Sequence, residues 1–504
     1  MGEWHLARAS DASFERLGDY EALFFEGKWY STGELRQRQL RLAAGLQELG
    51  VAPGDRVVVM LPNSPDVPVS YNAIWRAGAV TTPAMFLLPP DELHRIVTDS
   101  EATTVITSPD FLSNIKAAAE GAEHLKWIIS TGEETDGVIA MSDLETAEPG
   151  EVVDRADDDM SSLLYTGGTT GRSKGVMYSH ANQAFCAKAL HDASTYEGSY
   201  VGMSALPLSH AFGLMVTVAG FYGNERNKAV LMSWFEPTQW LENIQEFGVA
   251  RAAAVPSMIQ MLLSQPVEDY NTSSWEFVGV GAAPLAAEVI EEFERRFPTC
   301  KIHEGYGLSE SGGGASSNPR DSRRPGSVGK PLPGYEVKIV DEQDNELPIG
   351  EKGEVCLKSP GVMKGYWKDP ELTEKTVKDG WLHTGDVGKV DEDGYLYIVD
   401  RIKDLIIRGG FNVYPRDVED GLLEHPAVAV AGVVGKKDTQ YGEEVVAYVQ
   451  LHPGKEATAE ELIEFTKEHL GRYKYPREVH IVSYVPLTPV GKVDRKEIRK
   501  MLEA

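Results

Sequence analysis

At 504 residues the chain is too long for one ordinary domain, and its 42% hydrophobic content suits a large buried core. Its 77 acidic against 49 basic residues leave a net charge of −28, which excludes a general affinity for nucleic acid or anionic lipid, because both need basic surface. Cys186, Cys300 and Cys356 have neither metal-ligand spacing nor a disulfide framework, so a reducing compartment is expected.

The first residues lack a charged region followed by an apolar run, and no stretch reaches membrane-spanning length without charge. A soluble cytoplasmic protein with no transmembrane segment is expected.

Along the chain, Ser31 and Glu34 read as a capping box. The helix it opens carries Leu35, Leu42, Ala43, Leu46 and Leu49 at helical spacing and stops at Gly50. Arg56 to Leu61 reads as a buried strand, Trp75 to Ala79 as the end of a helix, and 103–107 and 127–130 as further short strands. The acidic stretch from Glu133 to Asp159 is weakly patterned and reads as surface loop. Strands follow at 201–206, 229–232, 251–255 and 277–281, each meeting proline or glycine near its C-terminal end. This alternation predicts an α/β fold with a largely parallel sheet.

In open sheets of this kind ligands bind outside the carboxyl ends of the strands. Val255-Pro256, Gly281 to Pro284 and Gly305 to Gly307 are therefore site candidates by position. After about Pro325 the texture changes to period two, at 336–340, 354–358 and 395–399, with turns such as Asp393-Gly394 between. That predicts a small antiparallel β subdomain at about 326–400, closing a large N-terminal domain of residues 1–400. Strands at 428–434, 445–451 and 479–482 and a helix at 460–470 predict a separate α+β domain over 401–504.

One stretch stands out, YTGGTTGRSKG at 165–175. Its glycines turn tightly and let an anion approach the backbone, its hydroxyls donate, and Lys174 adds a compact positive charge. Bare N–H groups, hydroxyls and a lysine suit a polyphosphate. The order fits neither a P-loop, because Lys174 follows Ser173, nor a dinucleotide fingerprint. A solvated hinge would not need Thr166, Thr169, Thr170, Ser173 and Lys174 together.

The stretch resembles the phosphate loop of the adenylate-forming superfamily, in its acyl-CoA synthetase branch. Further segments resemble that superfamily in its own order. Gly305 to Glu310 resembles its second nucleotide segment, Trp381 to Asp386 its ribose segment, Asp400 to Gly410 its hinge and Pro486 to Lys492 its C-terminal lysine loop. The likeness covers nearly the whole chain. Ser309 stands where threonine is usual and Ser173 where proline is common; neither removes a functional group.

The resemblance implies ATP, Mg²⁺ and coenzyme A, with a small carboxylic acid as substrate. It implies an acid–thiol ligase that forms acyl-AMP and then a thioester. The nucleophile belongs to the substrate, so the protein's work is positioning and neutralising charge. By resemblance Thr166, Gly167, Gly168, Thr169, Thr170 and Lys174 cradle the β- and γ-phosphates, with Ser309 keeping a hydroxyl near phosphate. Glu310 holds Mg²⁺ through oxygen, as a hard cation prefers. Tyr306 and Gly307 meet adenine, and Gly281, Ala282 and Ala283 let the base lie close to the backbone. Asp386 accepts from the ribose, with Arg401 beside it. Lys403 is the hinge, Gly409 and Gly410 line the thiol arm's tunnel, and Lys492 meets charge on the α-phosphate.

The acyl pocket is expected among His210, Phe212, Val255, Gly305, Gly312 and Gly313. Glycine there would leave room, and His210 would gate the channel. Its apolar lining predicts a fatty or arylalkanoic acid. No carrier-attachment motif is present after the lysine loop, which favours free coenzyme A as acceptor. The rivals are an amine acceptor, giving an amide synthetase, a luciferase-like oxygenation, and a non-catalytic acyl or nucleotide sensor; intact Lys174, Glu310, Asp386 and Lys492 speak against the last. Chain length, pathway and oligomeric state, a homodimer included, stay open.

Overall fold

In a computed structural model the described residues are 2–166, 173–194, 198–471, 473–488 and 493–503. Gly167, Gly168, Thr169, Thr170 and Lys492 lie outside them.

Among the described residues the strands form four sheets. The first has eight strands and runs parallel from Met160–Thr166 through Val80–Pro83, Arg56–Met60, Thr104–Thr107 and Trp127–Ser130 to Ile139–Ala140. Arg56–Met60 is Val-rich and buried on both faces, as a strand between two layers of helix must be. The second sheet has nine strands and is parallel from Lys301–Tyr306 through Phe277–Val280, Arg251–Ala254, Val201–Ser204 and Lys228–Leu231 to Glu21–Phe25. Trp240, Trp275, Phe293 and Phe297 pack edge to face beneath it, with Trp275 5.2 Å from Phe297.

Several helices begin where the sequence supplies a side-chain cap. Ser31 accepts from Glu34 N and opens Thr32–Glu48. Ser179 and Asn182 form a full capping box before His180–Ala193, and Thr458 and Glu461 another before Ala459–His469. Gly248, at φ 61°, ends Pro237–Phe247 in the left-handed conformation that glycine adopts without strain. No helix of the described residues is long and apolar enough to cross a membrane.

The third sheet is antiparallel and joins Glu336–Val340, Gly353–Lys358, Trp381–Val390, Val377–Lys378 and Leu396–Arg401. The fourth joins Ile406–Arg408, Phe411–Val413, Val428–Asp438, Gly442–Leu451 and Glu478–Ile481 around its own core of Val418, Leu422, Val433, Ala447 and Leu462. The chain leaves the third sheet at Arg401 and enters the fourth at Ile406, so the change of sheet falls on 402–405.

Two expectations need correction. The stretch 133–159 contains Ile139–Ala140 and a short helix, Met141–Leu144, both too brief to show a period. The glycine-rich stretch is not loop at its two ends. Tyr165 and Thr166 end one strand, Lys174 and Gly175 begin the antiparallel Lys174–Ser179, and Thr166 pairs with Lys174.

Candidate active site

Three adjacent parallel strands end side by side, and each delivers one candidate loop. Arg251–Ala254 runs into Val255, which precedes the proline-started helix Pro256–Leu263. Phe277–Val280 runs into Gly281, Ala282 and Ala283. Lys301–Tyr306 carries Gly305 and Tyr306 at its own end. Gly281 and Gly305 are glycine for packing: a Cβ on Gly281 would sit 3.1 Å from Gly305 O, and one on Gly305 3.2 Å from Ser316 O. Ala282 holds φ 70°, a conformation that costs an alanine about 1 kcal/mol or more.

Tyr306 points its hydroxyl at Asp386 and donates to Oδ2 at 2.6 Å. Arg401 Nε donates to the other oxygen, Oδ1, at 2.9 Å. Asp386 and Arg401 are cross-strand partners, so the register of the third sheet sets this pair. Asp386 is only 3% exposed, and a buried carboxylate needs such partners. Burial, with Asp386 beside it, pushes the Tyr306 phenol well above its usual range, so it stays a donor. Burial works against the Arg401 charge, but Asp386, Tyr306 and Asp404 together outweigh it and the guanidinium is held up.

Glu310 sits in a short turn, Ser309–Ser311, half-buried. Tyr366 donates to its Oε1 at 2.7 Å, and the backbone N–H of Met363 donates to its carbonyl at 2.9 Å. Lys174 Nζ lies over the Tyr366 ring, 5.4 Å from its centre. Tyr366 pairs with Val176 in the strand that Lys174 begins, and Trp367 N donates to Gly175 O at 2.7 Å. Segment 362–367 therefore ties the glycine-rich hairpin to Glu310. Tyr178, on the same hairpin, donates to Ser309 O. No described residue hydrogen-bonds Glu310 Oε2, and an oxygen on a half-buried carboxylate is the donor type that fits Mg²⁺.

The expectation of open room at Gly312 and Gly313 is corrected. A Cβ on Gly312 would lie 2.0 Å from Cys186 Sγ, and one on Gly313 2.9 Å from the Ala211 carbonyl carbon and oxygen. Both have positive φ, 82° and 93°. They are glycine because chain meets chain there. Gly307 is similar, its Cβ position falling 2.5 Å from Gly314 Cα. The close approach places Gly313 against the start of helix Ala211–Ala219, whose N-cap is His210; His210 Nδ1 accepts from Phe212 N at 3.5 Å. Phe212 is half-buried against the main core.

Lys403 lies in the turn Ile402–Asp404 between the third and fourth sheets. Burial, then the Arg401 charge, pulls its ammonium down to about 8. Gly409 and Gly410 form the tip of the hairpin Ile406–Arg408 and Phe411–Val413, with φ 59° and 82°.

Tyr366 and Tyr178 escaped sequence reasoning. The signal available for Tyr366 was the aromatic pair Tyr366-Trp367 directly after Gly365; its partner Glu310 is 56 residues away.

The chain matches the family model for "AMP-binding enzyme" over residues 10–367 and that for "AMP-binding enzyme C-terminal domain" over 417–492. It is 34% identical over 516 residues to 4-coumarate–CoA ligase 5 of Oryza sativa subsp. japonica, covering 98% of this chain and 94% of that one. It is 33% identical over 521 residues to a long-chain-fatty-acid–CoA ligase of Bacillus subtilis, covering 96% and 92%. Among solved structures it is similar to ATP-bound MatB from Rhodopseudomonas palustris, with TM-score 0.91, 32% identity and 99% of both chains covered. It is also similar to the amide bond synthetase McbA from Marinactinospora thermotolerans, with TM-score 0.90, 28% identity and 99% of both chains covered.

Proposed function

Because the chain belongs to the AMP-binding enzyme family, the adenylate-forming acid–thiol ligases, we propose that it joins a fatty or arylalkanoic acid to coenzyme A through acyl-AMP. The acid's carboxylate oxygen bonds to the α-phosphorus of ATP as the bond to the β-phosphate bridge breaks, and pyrophosphate leaves. The thiolate sulfur of coenzyme A then bonds to the acyl carbon, and AMP leaves.

The observation that carries this reading is the bracket of Lys174, Tyr366 and Glu310. It puts a phosphate-type cation and a metal-type carboxylate on either side of one tyrosine. Mg²⁺, when bound, neutralises phosphate oxygens. Lys174 adds a fixed charge for the departing pyrophosphate, and Glu310 is the oxygen ligand. Asp386 accepts from ribose hydroxyls, Arg401 and Tyr306 hydrogen-bond it and keep it aimed, and the Tyr306 ring and the 281–283 backbone flank adenine. Lys492 meets the α-phosphate, and residues 401–504 turn about Lys403 to bring Gly409 and Gly410 to the thiol arm. The apolar acid is supported by the half-buried Phe212 after His210, by the half-buried Val255 at the end of its strand, and by relatives named for long-chain fatty acids and 4-coumarate.

A second reading rests on McbA: the same activation, then attack of an amine nitrogen, giving an amide. One experiment separates the two. Pyrophosphate release is measured with ATP over a panel of fatty, arylalkanoic and dicarboxylic acids, and products are identified with coenzyme A or an amine present. Thioester from an apolar acid supports the first reading. Amide without thioester supports the second, and no release with any acid sinks both.

A further inference from the structure

The strand Trp381–Val390 does not run evenly beside Gly353–Lys358. Glu354 pairs with Val387 and Cys356 with His383, so Thr384, Gly385 and Asp386 together face Val355. This is a bulge, with Gly385 at φ 69° taking the left-handed turn. It turns Asp386 off the ladder with Gly353–Lys358 and toward Tyr306 and Arg401.

Something must hold a bulge in one shape, and here one carboxylate does much of it. Glu354 Oε1 accepts from Gly385 N at 2.9 Å, and Oε2 accepts from His383 Nδ1 at 2.9 Å. Thr384 Oγ1 donates to Val355 O at 2.7 Å and accepts from Asp386 N at 3.1 Å. The bulge is thus stitched residue by residue to Glu354 and Val355, and Asp386 is the next residue along.

We infer that Glu354, through His383 and Gly385, is the positioning residue that aims Asp386 at the ribose. Neither Glu354 nor His383 touches the nucleotide in this scheme; both act through the backbone that carries Asp386. The inference rests on the proposed role of Asp386 as the ribose acceptor.

Glu354, Cys356 and His383 also bring their ligand atoms within 4.8 Å of one another, as a metal site would. The structure favours hydrogen bonds there. Both Glu354 oxygens and His383 Nδ1 already have partners, and burial, with Glu354 nearby, pushes the Cys356 thiol up to about 12, far from the thiolate a metal needs.

The test uses the full chain with ATP, 2′-deoxy-ATP and 3′-deoxy-ATP, and reads kcat/KM for pyrophosphate release. In the unaltered protein, loss of a ribose hydroxyl from which Asp386 accepts should lower kcat/KM by about 10- to 100-fold, the worth of a hydrogen bond to a charged group. Glu354→Ala should collapse that preference toward unity, mainly through a raised KM for ATP, while the deoxynucleotide that lacks this hydroxyl is used nearly as before. Glu354→Gln keeps the shape and one accepting oxygen and should fall between; it serves if the alanine variant does not fold. A merely structural role would lower activity with all three nucleotides alike, and that result overturns the inference. Stoichiometric zinc in the purified protein, lost in Glu354→Ala, would also overturn it. No ribose preference in the unaltered protein would instead remove Asp386 from the ribose site, a failure of the proposed function's nucleotide assignment.

Discussion

Gly410→Leu should separate the two proposed halves of the reaction. Gly410 sits at φ 82° and a Cβ there meets nothing within 4 Å. The position is exposed, so a side chain can extend into solvent, and the main cost is the left-handed backbone, about 1–2 kcal/mol. The fourth sheet has its own core, to which Gly410 does not belong, so the variant should fold. After the proposed rotation the same tip borders the thiol arm, and a leucine side chain would displace it. Misplacing reacting atoms by about 1 Å can cost about 10²-fold, and that is the loss expected. The assay supplies acid and ATP for pyrophosphate release, then synthetic acyl-AMP and coenzyme A for thioester. Gly410→Leu should keep most of its pyrophosphate release and lose thioester formation from supplied acyl-AMP. Lys492→Ala should show the reverse. If both variants lose the same half-reaction to the same degree, the 401–504 unit does not alternate and the hinge at Lys403 is wrong.

Three further outcomes are expected from the geometry. Glu310→Gln keeps the side-chain shape and removes the charge, so adenylation should fall by about 10²-fold with little change in melting temperature; an unaltered magnesium titration would remove Glu310 as the ligand. Gly313→Ala forces a Cβ to 2.9 Å from the Ala211 carbonyl at φ 93°, so urea unfolding should show a loss of about 2–4 kcal/mol, and a variant as stable as the parent would refute the close approach. Burial lifts the Glu304 carboxyl to about 7, so ionising it in the folded chain is unfavourable and its contribution to stability is lost as pH rises from about 4.5 through 7. Glu304→Gln should therefore match the parent near pH 4.5 and exceed it at pH 8 by up to about 3 kcal/mol in denaturant unfolding; a difference that does not vary with pH would refute this.

Local chemistry was legible in the sequence. Ser31 and Glu34 sit three apart before a leucine stripe, and Ser31 caps the helix Thr32–Glu48. Pro256, Gly281 and Gly307 mark the ends of three neighbouring parallel strands, where Val255, Gly281 and Tyr306 duly sit. The antiparallel hairpin of the first sheet and the bulge in Trp381–Val390 were not legible. Tyr165, Thr166, Lys174 and Gly175 are strand residues whose glycine and threonine neighbours read as loop. Thr384, Gly385 and Asp386 form a bulge whose shape depends on Glu354, some thirty residues earlier. Spacing within one segment cannot show a contact between segments. The glycines at 312 and 313 were recognised as special, but whether a glycine faces a ligand or another backbone depends on what packs there.

The same distinction bears on how a domain could turn about Lys403. Asp404 is tied to the C-terminal side of the turn: Arg499 donates to it at 2.9 Å and Arg495 lies 3.8 Å away, while Arg495 also donates to Glu419 at 2.7 Å. Those bonds lie within the 404–503 stretch and would travel with it. Asp400 is tied across the change of sheet. Its carboxylate accepts from Arg416 N, at the start of Pro415–Leu423, at 2.7 Å, and from Arg401 N at 2.8 Å. Rotation between these two aspartates would break the Arg416 contact and leave the Asp404 set intact. A hydrogen bond to a charged group contributes about 1.5–3 kcal/mol, and exposure to water offsets part of it. Burial holds the Asp400 carboxyl up at about 6, so the hydration its carboxylate gains on opening offsets more. A latch of a few kcal/mol at most is within the range that a bound nucleotide or acyl-AMP can tip by preferring one arrangement.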